Sequence, residues 1–184
     1  MLRAALVLLL ALGASRLDGI PLRWKPTDDT SQLLSDVSRT FKLRKVKVKP
    51  FTDMREDKQL IGRNTEDETP RTVTTQDDVG AWCSTQLSGL LREAGVPVVD
   101  EGAQLVISGK VTRFMVDEAE TYRGAIAMLV TVQDAKGKQL WSGVVTGESK
   151  RWGRSYKADN YMEALSDAYV RAATAFVTDP KLSL

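Results

Sequence analysis

Apolar residues recur every three to four positions in two segments of the chain, which indicates two amphipathic helices. The first begins after Asp77 or Asp78 and ends at Gly95, a residue suited to the left-handed position after a helix. The second runs from about Asp159 to Val177. The two apolar stripes comprise Val79, Cys83, Leu87, Leu90, Leu91 and Ala94, and then Tyr161, Leu165, Ala168, Ala172 and Phe176.

Alternation of apolar and polar residues with a period of two predicts four strands. In the first, Val46–Val48, valines alternate with lysines, and Pro50 either ends the strand or places it at an edge. The glycine-containing segment 134–138 is typical of a hairpin turn between the last two strands. The three later strands are predicted at about residues 105–116, 122–133 and 140–146.

The predicted elements follow the order β-α-β-β-β-α. Successive strands with helices kept apart from them imply an α+β fold, with an antiparallel sheet of about four strands and two helices on one face. Residues 52–75 are polar, and we predict that they form a long loop. The folded domain is predicted to span residues 41–180 as a single unit.

The first 15 residues have the layout of a secretory signal peptide, with Arg3 followed by an apolar run and then small residues. The run is too short to cross a bilayer as a helix. The segment Leu12–Ser15 resembles a bacterial lipobox, but Ser15 stands where lipidation needs a cysteine. We expect either a soluble relative of lipoproteins or an ordinary signal-peptidase site. Residues 16–40 are expected to form a polar tether.

Composition excludes several classes of function. The chain has no histidine and one cysteine, so an intrachain disulfide is impossible and the commonest metal ligand is missing. Its net charge is +2, and removing residues 1–15 leaves it near neutral. A near-neutral exported protein is not expected to bind nucleic acid.

The search for reactive groups predicts no catalytic residue, no cofactor and no metal site. Cys83 lies on an apolar helical stripe and is expected to be a buried structural residue. The carboxylates between Asp53 and Asp57 are interleaved with an arginine and lack the glycine of a calcium loop, so a solvated loop is favoured. Gly143, Gly147 and Gly153 do not precede a helix and are expected at bulges or close contacts.

Two segments are candidates for binding surfaces. Lys45, Lys47 and Lys49 could contact an anionic envelope surface, although lysines on an edge strand also deter aggregation. Arg151, Trp152, Arg154 and Tyr156 are residue types common at binding hot spots. They are equally consistent with a turn whose rings cover one end of the core.

Several segments together resemble the YajG-like group of small envelope lipoproteins of Gram-negative bacteria. They are VKPFTDMR at 48–55, IG at 61–62, LLREAG at 90–95, LVISGKV at 105–111, WGR at 152–154 and NYMEALSDA at 160–168. The resemblance extends more distantly to periplasmic domains of lipoproteins that assemble secretion pores and lipopolysaccharide transporters. It implies a periplasmic α+β domain held at a membrane, and it brings no catalytic residues.

These observations favour an exported, non-enzymatic envelope module, periplasmic or associated with the outer membrane. It would bind another envelope protein, or an envelope lipid or glycan surface. The alternative is a periplasmic carrier that holds a lipid or glycan between sheet and helices. A carrier needs an enclosed apolar cavity of ~300 Å³ or more, whereas a filled core with an exposed strand edge favours partner binding. An exported hydrolase is disfavoured because no nucleophile–base pair is evident.

Overall fold

The computed structural model of the protein describes residues 17–37 and 39–182. In this part of the chain, one mixed sheet of seven strands packs against helices on one of its faces. The strands are β1 (Val46–Val48), β2 (Thr52–Asp53), β3 (Leu60–Asn64), β4 (Arg71–Thr74), β5 (Leu105–Glu118), β6 (Thr121–Asp134) and β7 (Gln139–Trp152). The helices are α1 (Ser31–Asp36), α2 (Arg39–Lys42), α3 (Val79–Glu93) and α4 (Ala158–Val177).

Strand β5 organises the sheet. One of its edges pairs with β6 in an antiparallel ladder, and β6 pairs in the same way with β7. Its other edge pairs in parallel with β1, β2 and β3 in succession, and β4 adds to β3 as an antiparallel strand. The α+β class is confirmed, but the prediction of about four antiparallel strands and two helices is too small. Three short parallel strands share this edge of β5, β4 extends the sheet further, and the short helices α1 and α2 precede β1.

The predicted loop at 52–75 is also wrong, because it contains β2, β3 and β4. Buried Ile61 and Val73 face the core from β3 and β4. The Arg55 side chain holds the segment between β2 and β3 in place. Its guanidinium lies 2.8 Å from the Asp53 carboxylate. It also donates to the carbonyl oxygens of Lys58, Leu60 and Phe114. The polar segment around Asp53–Asp57, which the sequence suggested would be a solvated loop, is therefore held in place by a buried ion pair.

The helix α3 has the predicted boundaries. The Asp78 side chain caps its first turn by accepting from the Ala81 N–H at 3.0 Å, and Gly95 follows its end at φ +83°. Cys83 is fully buried on its inner side, as the stripe predicts. Burial raises the pKa of the Cys83 thiol far above its ordinary value, so the reactive thiolate is suppressed.

Aromatic rings fill the space between the sheet and the two long helices. Trp82 of α3 packs edge-on against Phe114 of β5 and Tyr169 of α4, with ring centroids 5.4 and 5.3 Å apart. The Tyr169 hydroxyl also donates to the Cys83 carbonyl oxygen at 2.5 Å, which joins the two helices. The core between sheet and helices is thus occupied by side chains.

Helix α4 lies very close to β6 and β7 because glycines face it. A Cβ placed on Gly147 would lie 2.0 Å from the Ala168 carbonyl oxygen, and one on Gly124 would lie 2.4 Å from that of Ala164. The Ser149 hydroxyl donates to the same Ala164 oxygen at 2.7 Å. Gly147 therefore serves close packing, one of the two roles expected for it.

Residues 17–30, part of the segment expected to form a tether, lie against the helices. The Asp167 carboxylate of α4 accepts from the Thr27 N–H and hydroxyl at 2.6 Å each, and from the Asp28 N–H at 2.9 Å. Trp24 packs on the rings of Trp82 and Tyr169, with centroids 5.8 and 6.0 Å apart. The expected signal peptide, residues 1–15, lies outside the described residues.

Candidate functional site

The face of the sheet opposite the helices is its outer face, and no described element covers it. Along β5, β6 and β7 the side chains alternate between a buried inner row and a partly or fully exposed outer row. Each of these strands has 14 residues, so the open surface is long. It is a continuous uncovered surface to which β5, β6 and β7 all contribute.

The strand register places cations on this outer face. Arg63 of β3, Asp117 of β5, Arg123 of β6 and Lys150 of β7 form one row across the sheet. Two carboxylates accompany the cations, those of Asp117 and Glu148. The cations on this face are Lys47, Lys49, Arg63, Lys110, Arg113, Arg123 and Lys150. Because the whole chain has a net charge of only +2, the outer face is far more basic than the rest of the protein.

A cleft of about 610 Å³ occupies one end of this face. Gly124 and Ala125 form part of its lining, and the remaining lining residues are mostly charged. The charged residues of the lining are Arg113, Asp117, Arg123, Glu148, Lys150 and Arg171. Four cations and two carboxylates give the cleft a net positive charge.

Three cations of the cleft have no ionic partner within residues 17–37 and 39–182. Arg113, Arg123 and Lys150 form none of the ion pairs found in that part of the chain. Arg123 and Lys150 are moreover directly opposite each other across β6 and β7. Like charges in that position destabilise a sheet, whereas Asp117, which lies opposite Arg123 on its other side, offsets part of that cost.

Trp152 ends β7 on the same outer face, and 80% of its surface is exposed. The Lys150 ammonium lies 5.7 Å from the centre of its ring. Val144, which is 70% exposed, and Leu129 lie farther along the face. The sequence predicted a binding surface of arginines and aromatic rings at 151–156. In the structure, the cations that accompany the exposed ring of Trp152 on this face include Lys150, Arg123 and Arg113 instead of Arg151 and Arg154.

Arg151 and Arg154 face other surroundings. The Arg151 guanidinium lies on the inner side of β7 and forms an ion pair with Glu163 of α4. Arg154 lies between the carboxylates of Glu66 and Glu120, with nitrogen–oxygen distances of 3.5 Å to each. Both arginines are therefore engaged within the protein.

Tyr156 is buried at one end of the core. Its hydroxyl donates to the Thr72 carbonyl oxygen at 2.9 Å, and the Arg71 guanidinium stacks 4.2 Å above its ring. Its backbone adopts φ +43°, which is uncommon for a residue other than glycine. The ring is not accessible to a partner, and of the four candidates only Trp152 lies open on the outer face.

The three candidate lysines lie at the β1 edge of the sheet. Lys45 and Lys49 are exposed, and Lys47 is half-buried with its ammonium donating to the Asp100 carbonyl oxygen at 2.8 Å. Lys49 lines a second cleft, of about 310 Å³, together with Lys110 and Leu129. The structure thus connects this edge with the basic outer face, and contact with an anionic surface stays a prediction.

Sequence reasoning missed the most buried carboxylate, Glu118 at the end of β5. The Tyr161 hydroxyl donates to one of its oxygens at 2.6 Å, and the Ser155 and Tyr156 N–H groups donate to the other at 3.1 and 2.9 Å. Glu118 thereby holds the segment between β7 and α4. A glutamate at the end of an alternating strand gave only a weak signal, since these three donors lie 37 to 43 positions away along the chain.

Two further observations bear on chemistry and membranes. The described residues contain no group of three or more histidine, cysteine, aspartate or glutamate side chains that could hold a metal ion. None of the helices among those residues has the length and apolar character needed to cross a membrane.

No protein-family model and no curated protein matches the chain. Solved structures that are similar to the chain include the following three. Protein XCC0632 of family DUF330 from Xanthomonas campestris is 12% identical, with a TM-score of 0.56 over 73% of this chain and 82% of that one. Hypothetical protein CT253 from Chlamydia trachomatis is 10% identical, with a TM-score of 0.50 over 76% and 98%. Lipoprotein GNA1162 from Neisseria meningitidis is 15% identical, with a TM-score of 0.39 over 64% and 89%. At these identities the chain is similar to XCC0632 and CT253 in fold alone.

Proposed function

We propose that the protein is an exported, non-enzymatic module of the bacterial cell envelope that binds another envelope component through the outer face of its sheet. The observation that carries this proposal is the set of unpaired cations, Arg113, Arg123 and Lys150, beside exposed Trp152. The layout of residues 1–15 supports export. The periplasm or the outer membrane is the compartment in which we place the protein.

Unfavourable electrostatics support a binding role for this face. Arg123 faces Lys150 across the ladder at a cost to stability. A ligand with negative charge would offset that cost on binding. Exposed tryptophan and arginine are residue types in which binding energy concentrates. The three cations and Trp152 therefore contribute to the binding of a ligand and not to the stability of the fold.

The carrier alternative finds less support. A carrier needs an enclosed space of ~300 Å³ or more between sheet and helices. That region contains the packed rings of Trp82, Phe114 and Tyr169. The larger clefts lie at the margins of this packed region: one of about 610 Å³ at the β7 end of the outer face, where Arg171 of α4 joins its lining, and one of about 500 Å³ between β2 and the start of α3. Binding at the surface is the simpler use of this arrangement.

A non-enzymatic role agrees with the chemistry of the described residues. Cys83 is fully buried with a raised thiol pKa, so it is a poor nucleophile. The buried carboxylate of Glu118 is saturated by donors that belong to the fold. Neither group faces a cleft in which a substrate could meet it.

Export is tested by sequencing the N-terminus of the mature protein from the native host. We expect cleavage near Gly13–Ser15 and no lipid, because Ser15 occupies the position at which lipoproteins carry cysteine. A mature protein that begins at Met1, or one that bears a diacylglyceryl mass, would contradict this part of the proposal.

Binding is tested by affinity capture from envelope extracts, with wild-type protein and two triple variants. In the first, Arg113→Gln, Arg123→Gln and Lys150→Gln remove the unpaired cations. The control variant carries Lys42→Gln, Arg92→Gln and Lys136→Gln, which remove equal charge from exposed positions elsewhere. We expect the first variant to lose the captured component and the control to retain it. Equal capture by both would show that the outer face is not the binding surface.

A further inference from the structure

We infer that the outer face of the sheet docks on an anionic lipid surface, with its cations over lipid phosphates and Trp152 at the level of the headgroups. The inference rests on the proposed function and names the component that this face binds. A lipid bilayer matches the face in three respects: its charge, the position of its apolar groups and its extent.

Charge is the first argument. The face combines seven cations with only two carboxylates, on a chain whose net charge is +2. Arg113, Arg123 and Lys150 have no ionic partner within the described ranges. Clusters of lysine and arginine bind anionic bilayers because each cation near the surface gains electrostatic energy. Concentrating unpaired cations on one side also orients the protein toward such a surface.

The position of the apolar groups is the second argument. A typical protein–protein interface has an apolar centre, depleted in lysine, within a polar rim. Here Arg123 and Lys150 lie near one end of β6 and of the edge strand β7, beside the large exposed ring of Trp152. Exposed Leu129 and Val144 face each other nearer the middle of these two strands. Tryptophan, whose ring has an apolar body and a polar N–H, is enriched at the interface between a bilayer and water. An exposed indole ring with cations beside it therefore fits a headgroup layer, and Leu129 and Val144 add apolar surface on the same face.

Extent is the third argument. Cationic residues of the face come from β3, β5, β6 and β7, and Lys47 and Lys49 extend it to the β1 edge. A ligand the size of one phosphate would reach only part of this area. A bilayer presents phosphates over the whole area at once, so each cation can find one without a shaped pocket.

The first experiment is sedimentation of the mature protein, from which residues 1–15 have been removed, with vesicles of phosphatidylcholine alone or mixed with phosphatidylglycerol. We expect binding to the mixed vesicles only, and weaker binding as salt is added, because salt screens exposed charges. The variant Arg113→Gln/Arg123→Gln/Lys150→Gln should bind on the order of 100-fold more weakly, since each cation near an anionic surface contributes roughly a factor of five. The Lys42→Gln/Arg92→Gln/Lys136→Gln control should lose much less.

The second experiment uses tryptophan fluorescence, because Trp82 and Trp141 are buried and Trp24 is half-buried, whereas Trp152 is 80% exposed. Mixed vesicles should shift the emission of the wild type to the blue, and Trp152→Phe should abolish most of that shift. Equal thermal midpoints establish that the variants are folded. If the triple variant unfolds, Lys150→Gln alone replaces it and should weaken binding about fivefold.

Two outcomes would overturn the inference: equal sedimentation with both kinds of vesicle, or equal binding by the two triple variants. They are distinguishable from failure of the proposed function. If lipid binding is absent but the Arg113→Gln/Arg123→Gln/Lys150→Gln variant loses a captured envelope component, the face binds something other than lipid and the proposed function stands. If capture is also unchanged, both fail.

Discussion

The Tyr161 hydroxyl donates a 2.6 Å hydrogen bond to the Glu118 carboxylate, and this contact links the first turns of the last helix to the end of the central strand. The other carboxylate oxygen accepts from two backbone N–H groups of the preceding segment. Burial alone would raise the pKa of the Glu118 carboxyl, but the hydrogen bonds from the Tyr161 hydroxyl and the Tyr156 N–H, together with the neighbouring Tyr122 hydroxyl and Asn64 amide, outweigh burial and lower it.

Glu118→Gln should lower the free energy of unfolding by about 1.5–3 kcal/mol at neutral pH, the range for hydrogen bonds to a charged group. A carboxyl whose pKa is lowered in the folded state stabilises the fold at neutral pH, and this contribution is lost as the pH falls through the folded-state pKa. Urea denaturation between neutral and acidic pH measures both effects, and the acid limb should flatten in the variant. Asp117→Asn, at an exposed neighbour, is the control. An unchanged acid limb would contradict the assignment.

Arg151 and Trp152 are adjacent but should respond differently to alanine. Arg151→Ala removes the ion pair with Glu163 and should lower the free energy of unfolding by up to about 1 kcal/mol, as expected for a partly exposed pair. Trp152→Ala alters an exposed side chain and should stay within about 0.5 kcal/mol of wild type. Chemical denaturation of the two variants compares them. A larger loss in Trp152→Ala would mean that the ring covers the core.

Gly147→Ala should destabilise the protein by about 1–3 kcal/mol or more, the cost of overpacking, because the new Cβ would collide with the Ala168 carbonyl oxygen. Gly89→Ala in α3 is the matched control, since nothing lies within 4 Å of its Cβ position. That control should gain roughly 0.5–1 kcal/mol, the usual difference between glycine and alanine in a helix. Thermal midpoints of the two variants should therefore move in opposite directions.

Asp167→Ala should release residues 17–30 from the last helix, because the carboxylate accepts three hydrogen bonds from Thr27 and Asp28. Amide hydrogen exchange followed by mass spectrometry should show faster exchange in that segment and little change in β5–β7. Asp159→Asn, which alters only the exposed ion pair with Lys25, should leave the exchange close to wild type. Unaltered exchange at Thr27 and Asp28 in the alanine variant would count against this role.

The sequence was informative where one residue decides a local structure. Asp78 as a cap, Gly95 in the left-handed region and the stripe through Cys83 were enough to predict α3. The three long strands were also evident, because alternation repeats along each, although β7 continues to Trp152, beyond the predicted end at about residue 146. The strands β2, β3 and β4 were missed because they are short and each presents few core residues, such as Ile61 and Val73.

The candidate site was harder to predict because it depends on register. Arg63, Arg113, Arg123 and Lys150 are distant in sequence, and only strand pairing shows that they share a face. Alternation with a period of two shows which residues of one strand share a face, but it does not show which strands pair with each other or in what register. Trp152 stood out by composition, but neither its exposure nor the burial of Tyr156 could be deduced from their separation.

Strands β1, β2 and β3 all pair with the same later strand, β5, and this affects the order in which the fold can form during synthesis. A ribosome delivers residues 46–64 well before residues 105–118, so the three short strands leave the exit tunnel without the strand that will receive them. They must remain unpaired until β5 is synthesised, whereas β5, β6 and β7 can form a meander from neighbouring segments alone. Chains that stop before residue 105 should consequently stay bound to chaperones, whereas chains that include the meander can fold and be released once they have been exported.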